Sequence, residues 1–274
     1  MVFAIIGGDE RFIYLRELLI RDGHTVRMCG FERHKSHIAC VSAGDALFGA
    51  NCVILPIPST KDGKAVWTPL GNEEIRLDDL RRAANKKTLF LTANCTLGTA
   101  RECDYFAREE LTVYNAAITA EGAIAAAIDN TEHTLLGSRC LITGFGRIGK
   151  LLAHRLSSFG CDISITSRRP ETSSWIESYG FSSVGAEELE RYADLYDIIF
   201  NTVPQPILTS AVLKKLKRDC LLVELASPPY GIDFETAESE GVRVVKASGL
   251  PAKTAPKSAA QIIYNTINNI LREI

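Results

Sequence analysis

Short apolar blocks alternate along the chain with stretches in which apolar residues return every third or fourth position, the pattern of parallel strands covered by helices. Val2–Ile6 reads as a buried strand and Gly7-Gly8 as a turn. Residues 12–22 form a helix with Leu15, Leu18 and Leu19 on one face, and Thr25–Cys29 is the next strand. Further strands are expected at 38–41, 52–55 and 88–91. The proline- and glycine-rich segment 56–63 cannot be helical and follows the carboxyl end of a strand, where open α/β sheets bind ligands. An alanine-rich helix is expected at 119–130, with Thr119 as its cap and Glu121 in its first turn. After it the alternation restarts. Strands are expected at 140–143, Asp162–Ser167, Ile198–Asn201, Leu221–Glu224 and Arg243–Lys246, with helices at 147–159, 173–179, 186–192 and 255–272.

The pattern predicts an α/β protein of two Rossmann-like domains with parallel sheets. The first domain spans 1–118 and serves substrate or partner. The second spans 119–256, with 119–130 as connector, and the helix of 257–274 packs back on the first. A length of 274 residues suits two such domains. The balance of 31 lysines and arginines against 33 acids gives a charge of −2, so no basic field points to nucleic acid or an anionic membrane. The opening lacks the basic start of a signal peptide, and no apolar run approaches the ~18 residues that span a bilayer. Eight cysteines without a Cys-x-x-Cys pair, several inside apolar blocks, suit thiols in a reducing cytoplasm.

The sharpest local signal is Gly144-Phe145-Gly146-Arg147-Ile148-Gly149, which closes a strand and opens a helix. The first glycine permits the turn, the second lets backbone approach a pyrophosphate, and the third lets helix and strand pack closely. NAD sites place an acid about 20 residues beyond such a loop, but here stand Ser167-Arg168-Arg169. Guanidinium forks suit a phosphate monoester, so NADP is the expected cofactor. Thr202, Val203 and Pro204 after one strand, and Ala226 and Ser227 after the next, are expected to lie along it by the carboxyl-end rule.

Several segments carry a more specific likeness: 6–11 (Ile-Gly-Gly-Asp-Glu-Arg), 53–58 (Val-Ile-Leu-Pro-Ile-Pro), Tyr114-Asn115 with Thr119-Ala120-Glu121-Gly122, the glycine loop, Ser167-Arg168-Arg169, 201–204 (Asn-Thr-Val-Pro), and above all 249–259 (Gly-Leu-Pro-Ala-Lys-Thr-Ala-Pro-Lys-Ser-Ala). In these the chain resembles the A subunits of dipicolinate synthase, nearly end to end. It departs in its cysteine-bearing 94–98 region and in Ala116-Ala117-Ile118, where a proline would be expected. The resemblance implies NADP-dependent oxidation of a cyclic dihydrodipicolinate, derived from hydroxy-tetrahydrodipicolinate, to pyridine-2,6-dicarboxylate in a sporulating cell. It also implies that the partner is the flavoprotein-like B subunit of dipicolinate synthase; a homodimer is compatible with it.

A ring with two carboxylates needs cationic or hydroxyl donors. Arg11, Ser59, Thr60, Thr119 and Lys257 are the expected substrate contacts, with Lys253 ranked first and Glu121 as a proton acceptor. The run His34-Lys35-Ser36-His37-Ile38-Ala39-Cys40 has metal-like spacing but no complementary ligand pair, so no metal is expected. Two rivals remain: a non-catalytic NADP-binding regulatory protein, and a dehydrogenase of another small imino or hydroxy acid.

Overall fold

The opening apolar block becomes β1 (Val2–Ile6), followed by α1 (Glu10–Arg21), β2 (Thr25–Cys29), α2 (Ala43–Leu47), β3 (Cys52–Ile54), α3 (Leu77–Ala83), β4 (Leu89–Thr92), β5 (Glu102–Asp104) and α4 (Glu109–Asn130). Then come β6 (Arg139–Thr143), α5 (Arg147–Ser158), β7 (Asp162–Ser167), α6 (Pro170–Ser178), β8 (Ser182–Gly185), α7 (Leu189–Tyr192) and β9 (Ile198–Asn201). The chain ends with α8 (Ser210–Leu213), β10 (Leu221–Glu224), α9 (Phe234–Ser239), β11 (Arg243–Lys246), α10 (Leu250–Thr254) and α11 (Pro256–Glu273). These come from a computed structural model that describes residues 1–274. Two units result, Met1–Asn115 with Ala255–Ile274, and Ala116–Thr254. The α/β class with two parallel sheets is as expected from the alternation.

In the first unit the sheet order is β2-β1-β3-β4-β5, all parallel. Strand side chains alternate between two buried faces. Phe3 and Ile5 pack with Phe12, Leu15 and Leu19 of α1 and with Ala260, Ile263, Ile267 and Ile270 of α11. Ala4, Ile6, Val53 and Phe90 pack on the other side with Leu77 and Leu80 of α3. Arg108 forks onto Glu273 at 2.6 and 2.7 Å, tying the end of α11 to the approach to α4. That hydrogen bond holds the Glu273 carboxyl below its ordinary range.

The second sheet runs β11-β10-β9-β6-β7-β8, also parallel, which is the doubly wound order of dinucleotide-binding folds. One face carries Ile142, Ile165, Phe200 and Val223 against Leu152 and Leu156 of α5 and against Ala120, Ala123 and Ala127 of α4. The opposite face carries Leu141, Ile199 and Leu222 against Leu189, Leu208 and Val212. α4 is long and apolar enough to cross a membrane, but half of it is buried in the protein, as in a core helix.

Three expectations need correction. No strand forms at 38–41, where Cys40 makes a single bridge to Met28 and the preceding loop reverses at His37 (φ 46°). The alanine-rich helix begins at Glu109, not 119, with Glu109 and Glu110 in its first turn. Thr119 is therefore a buried mid-helix residue rather than a cap, and Glu121 lies far from the helix N-terminus. The short elements α2, α3, β5, β8, α8, α9 and α10 lie outside the sequence expectations, each too brief for periodicity to show.

Tyr105 is wholly buried and its hydroxyl donates to the Leu55 carbonyl at 2.8 Å. Desolvation raises its pKa well above the ordinary phenol value. Tyr105→Phe strands that carbonyl and is expected to cost about 1–3 kcal/mol, read as a lower urea midpoint at unchanged m-value.

Candidate functional site

The glycine loop of the second unit is built as a phosphate loop requires. Gly144 leaves β6 at φ +83°, and a Cβ there would stand 2.7 Å from Val203 Cγ2. Its amide donates to Thr166 Oγ1 at 3.1 Å. A Cβ on Gly149 would fall 2.2 Å from the Gly144 carbonyl oxygen, so only glycine lets α5 sit this close to the strand end. Gly146 differs, because a Cβ there would meet nothing within 4 Å. It occupies the N-cap of α5 without a side-chain cap, so the first-turn amides and the helix dipole face an open approach suited to a pyrophosphate. Arg147 is exposed, and Ile148 is half-buried against the core.

Behind the loop runs a buried polar ladder. Thr166, Thr143, Asn201 and Glu224 stand in register at the carboxyl ends of β7, β6, β9 and β10. Thr143 Oγ1 donates to Asn201 Oδ1 at 2.5 Å and accepts from the Thr202 amide at 3.1 Å. Thr202 Oγ1 donates back to the Thr143 carbonyl at 2.6 Å. Asn201 Nδ2 donates to both Glu224 oxygens, at 2.7 and 2.9 Å, and to the Val203 carbonyl. The amides of Ala226 and Gly231 complete the shell of Glu224 at 2.8 and 3.1 Å. Sequence reasoning missed this ladder as a unit. Its signal was there: an apolar strand closing on a polar residue at the same point, three times over, in β6, β9 and β10.

A cleft of about 830 Å³ runs from Gly144 and Phe145 past Thr166 and Ser167 to Arg168 and Arg169, with Val203, Gln205 and Thr209 opposite and Glu187 and Glu190 at one border. It gathers Gly144, Phe145, Ser167, Arg168, Arg169 and Val203 from the expected cofactor contacts. Thr202, Pro204, Ala226 and Ser227 do not line it. Both arginines are exposed. Ser167 is buried, its hydroxyl donating to the Arg169 carbonyl at 2.9 Å and accepting from the Arg169 amide at 3.2 Å, so it shapes the turn that presents the arginines. Ala226 is buried, with its amide donating to Glu224.

The expected substrate contacts divide between the units. In the first, Arg11 is 6% exposed and its fork is committed to Asp9 (2.8 Å twice) and the Ile57 carbonyl (2.8 Å). It braces the proline loop rather than offering a free cation. Ser59 is fully buried, donating to the Pro56 carbonyl and accepting from the Ala93 amide. Thr60 Oγ1 closes a turn with Asp62 and Gly63. Lys257 is exposed, its ammonium 5.3 Å from the Tyr14 ring centroid. His34 pairs with Glu10 at 3.1 Å. In the second unit, Thr119 is buried and Lys253 is exposed on α10. Glu121 is exposed and pairs with Arg155 at 3.3 Å.

Residues 2–106 match the family model of the N-terminal domain of the dipicolinate synthase A subunit, and residues 108–228 match that of the D-isomer specific 2-hydroxyacid dehydrogenase NAD binding domain. The A subunit of dipicolinate synthase from Bacillus subtilis (strain 168) is 30% identical over 284 residues, covering 99% of this chain and 96% of that protein. The crystal structure of the dipicolinate synthase A subunit from Bacillus halodurans superposes with a TM-score of 0.88 at 24% identity, covering 98% of this chain and 97% of that one. That of the A chain from Bacillus subtilis superposes at 0.86 with 28% identity, covering 100% and 96%. The N-terminal model, the end-to-end relative and the glycine loop of a dehydrogenase domain agree: the chain belongs to the family of dipicolinate synthase A subunits and carries a nicotinamide dinucleotide-binding domain.

Proposed function

We propose that the chain is the dehydrogenase component that oxidises a cyclic dihydrodipicolinate to pyridine-2,6-dicarboxylate with NADP⁺, together with a separate B subunit, in the cytoplasm of a sporulating cell. The observation that carries the redox reading is the phosphate loop, whose second glycine leaves the approach to the α5 N-terminus open. Family membership supports the substrate. When bound, the dinucleotide supplies the acceptor for a hydride from a ring carbon; loss of a ring proton completes the aromatic pyridine. The protein orients the ring and excludes water.

The α5 amides hold the pyrophosphate, and Arg168 and Arg169 hold the 2′-phosphate, standing where NAD sites place an acid. Lys253, exposed on α10, holds a substrate carboxylate as a point charge.

The direct test is NADPH formation at 340 nm by the purified chain with enzymatically generated hydroxy-tetrahydrodipicolinate, with and without the B subunit. Turnover in either mixture supports the reading. Cofactor binding without turnover in both favours the regulatory role instead. Arg168→Ala with Arg169→Ala is expected to abolish a preference for NADP⁺ over NAD⁺ of about 10- to 100-fold, measured by calorimetric titration; equal affinities in the parent chain exclude the NADP assignment. Lys253→Met is expected to raise the substrate KM by about tenfold or more with cofactor affinity unchanged, whereas unaltered kinetics remove Lys253 from the site.

A further inference from the structure

Glu224 is 1% exposed, and every polar atom in contact with its carboxylate is a donor: Asn201 Nδ2 and the amides of Ala226 and Gly231. Asn201 is oriented by the backbone of Val203, whose carbonyl can only accept from its Nδ2 and whose amide can only donate to its Oδ1. The Thr143 hydroxyl and the Val203 amide meet its oxygen. A shell made only of donors suits a carboxylate, whose two oxygens accept.

No cation neutralises it. Lys246 is its register partner on β11, yet the Lys246 ammonium lies over the Phe234 ring, 3.8 Å from the centroid, and makes no ion pair with Glu224. Dipoles alone stabilise this charge, so its field is not cancelled nearby. Solvation by oriented N–H groups lowers the cost of burial but leaves the net charge in place.

Its position gives that charge a target. In a doubly wound sheet of this order the glycine loop and the half that follows it take the adenosine side, and the second half, here β9, β10 and β11, takes the other nucleotide. Glu224 closes β10 in that second half. A nicotinamide ring is cationic when oxidised and neutral when reduced. We infer that Glu224 is a specificity-determining residue for redox state, its buried unpaired charge favouring the oxidised dinucleotide over the reduced one. The inference rests on the dinucleotide reading above and adds a direction to it, toward oxidation of the substrate and release of the reduced product.

The full chain is titrated by calorimetry with NAD⁺, NADH, NADP⁺ and NADPH, without substrate. The parent is expected to bind the oxidised member of its preferred pair more tightly, and tighter binding of the reduced member overturns the inference. Glu224→Gln is expected to shift the oxidised-to-reduced affinity ratio by about tenfold toward the reduced form. Glu224→Asp, which keeps the charge but shortens the reach, is expected to retain most of the ratio even where both affinities fall. A role confined to holding the loops predicts equal losses for both redox states in both variants, and that result overturns the inference. Where either variant fails to fold, the ratio in the parent chain remains decisive. Absence of binding by all four dinucleotides would instead remove the dinucleotide reading itself.

Discussion

The geometry of the second unit depends on one constraint: polar residues that end buried parallel strands must satisfy one another, because no water reaches them. Thr143, Asn201 and Glu224 do so across three adjacent strand ends, and their remaining valences fall on backbone. The amides of Thr202, Val203, Ala226 and Gly231 are each held by one of these side chains. The loops that leave the sheet therefore take their course from the ladder, not from packing alone. Thr166 extends the ladder to the glycine loop through the Gly144 amide. Removing any member strands its neighbours in a low dielectric, which makes the set act as a unit.

The first unit begins with the same grammar, strand then glycine turn then helix, and ends differently. Gly8 donates its amide to the Trp67 carbonyl at 3.1 Å, and a Cβ on Gly7 would lie 2.7 Å from that oxygen. Asp9 caps α1 with its side chain and pairs with Arg11, which in turn grips the proline loop. The place where a phosphate would meet a helix N-terminus is filled by the unit's own chain and its own carboxylate. At α5 the corresponding cap is a glycine without a side chain, and its outer side is open. At these two corresponding turns the units thus differ in whether the helix start is closed by protein.

That difference marks the boundary of what could be read from residues alone. Val2–Ile6, Thr25–Cys29 and Leu221–Glu224 were legible to the residue; the first and last are almost wholly buried and apolar, and Gly7 and Gly30 turn the chain after the first two. The phosphate loop was legible because Gly144 and Gly149 answer separate steric demands, while Gly146 keeps the helix start open. The substrate candidates were not. Arg11 and Ser59 look like free donors in sequence, but Arg11 also donates to the Ile57 carbonyl 46 residues away, and the Ser59 hydroxyl, which donates to Pro56, accepts from the Ala93 amide 34 residues away. The start of α4 was misread because composition changes at the alanines while the helix has already begun at the glutamates, a change of packing environment rather than of backbone.

The charges that flank the cleft and the ladder are placed according to how water treats them. Arg168 and Arg169 are exposed, so they remain hydrated, and a phosphate they meet is attracted through a medium that salt screens within ~8 Å at physiological ionic strength. Glu224 is buried among dipoles and screened far less. On the proposed reading, phosphate recognition by the arginines depends on salt, while the influence inferred for Glu224 depends on it far less. One end of the site is then adjustable by its surroundings and the other is fixed in the fold.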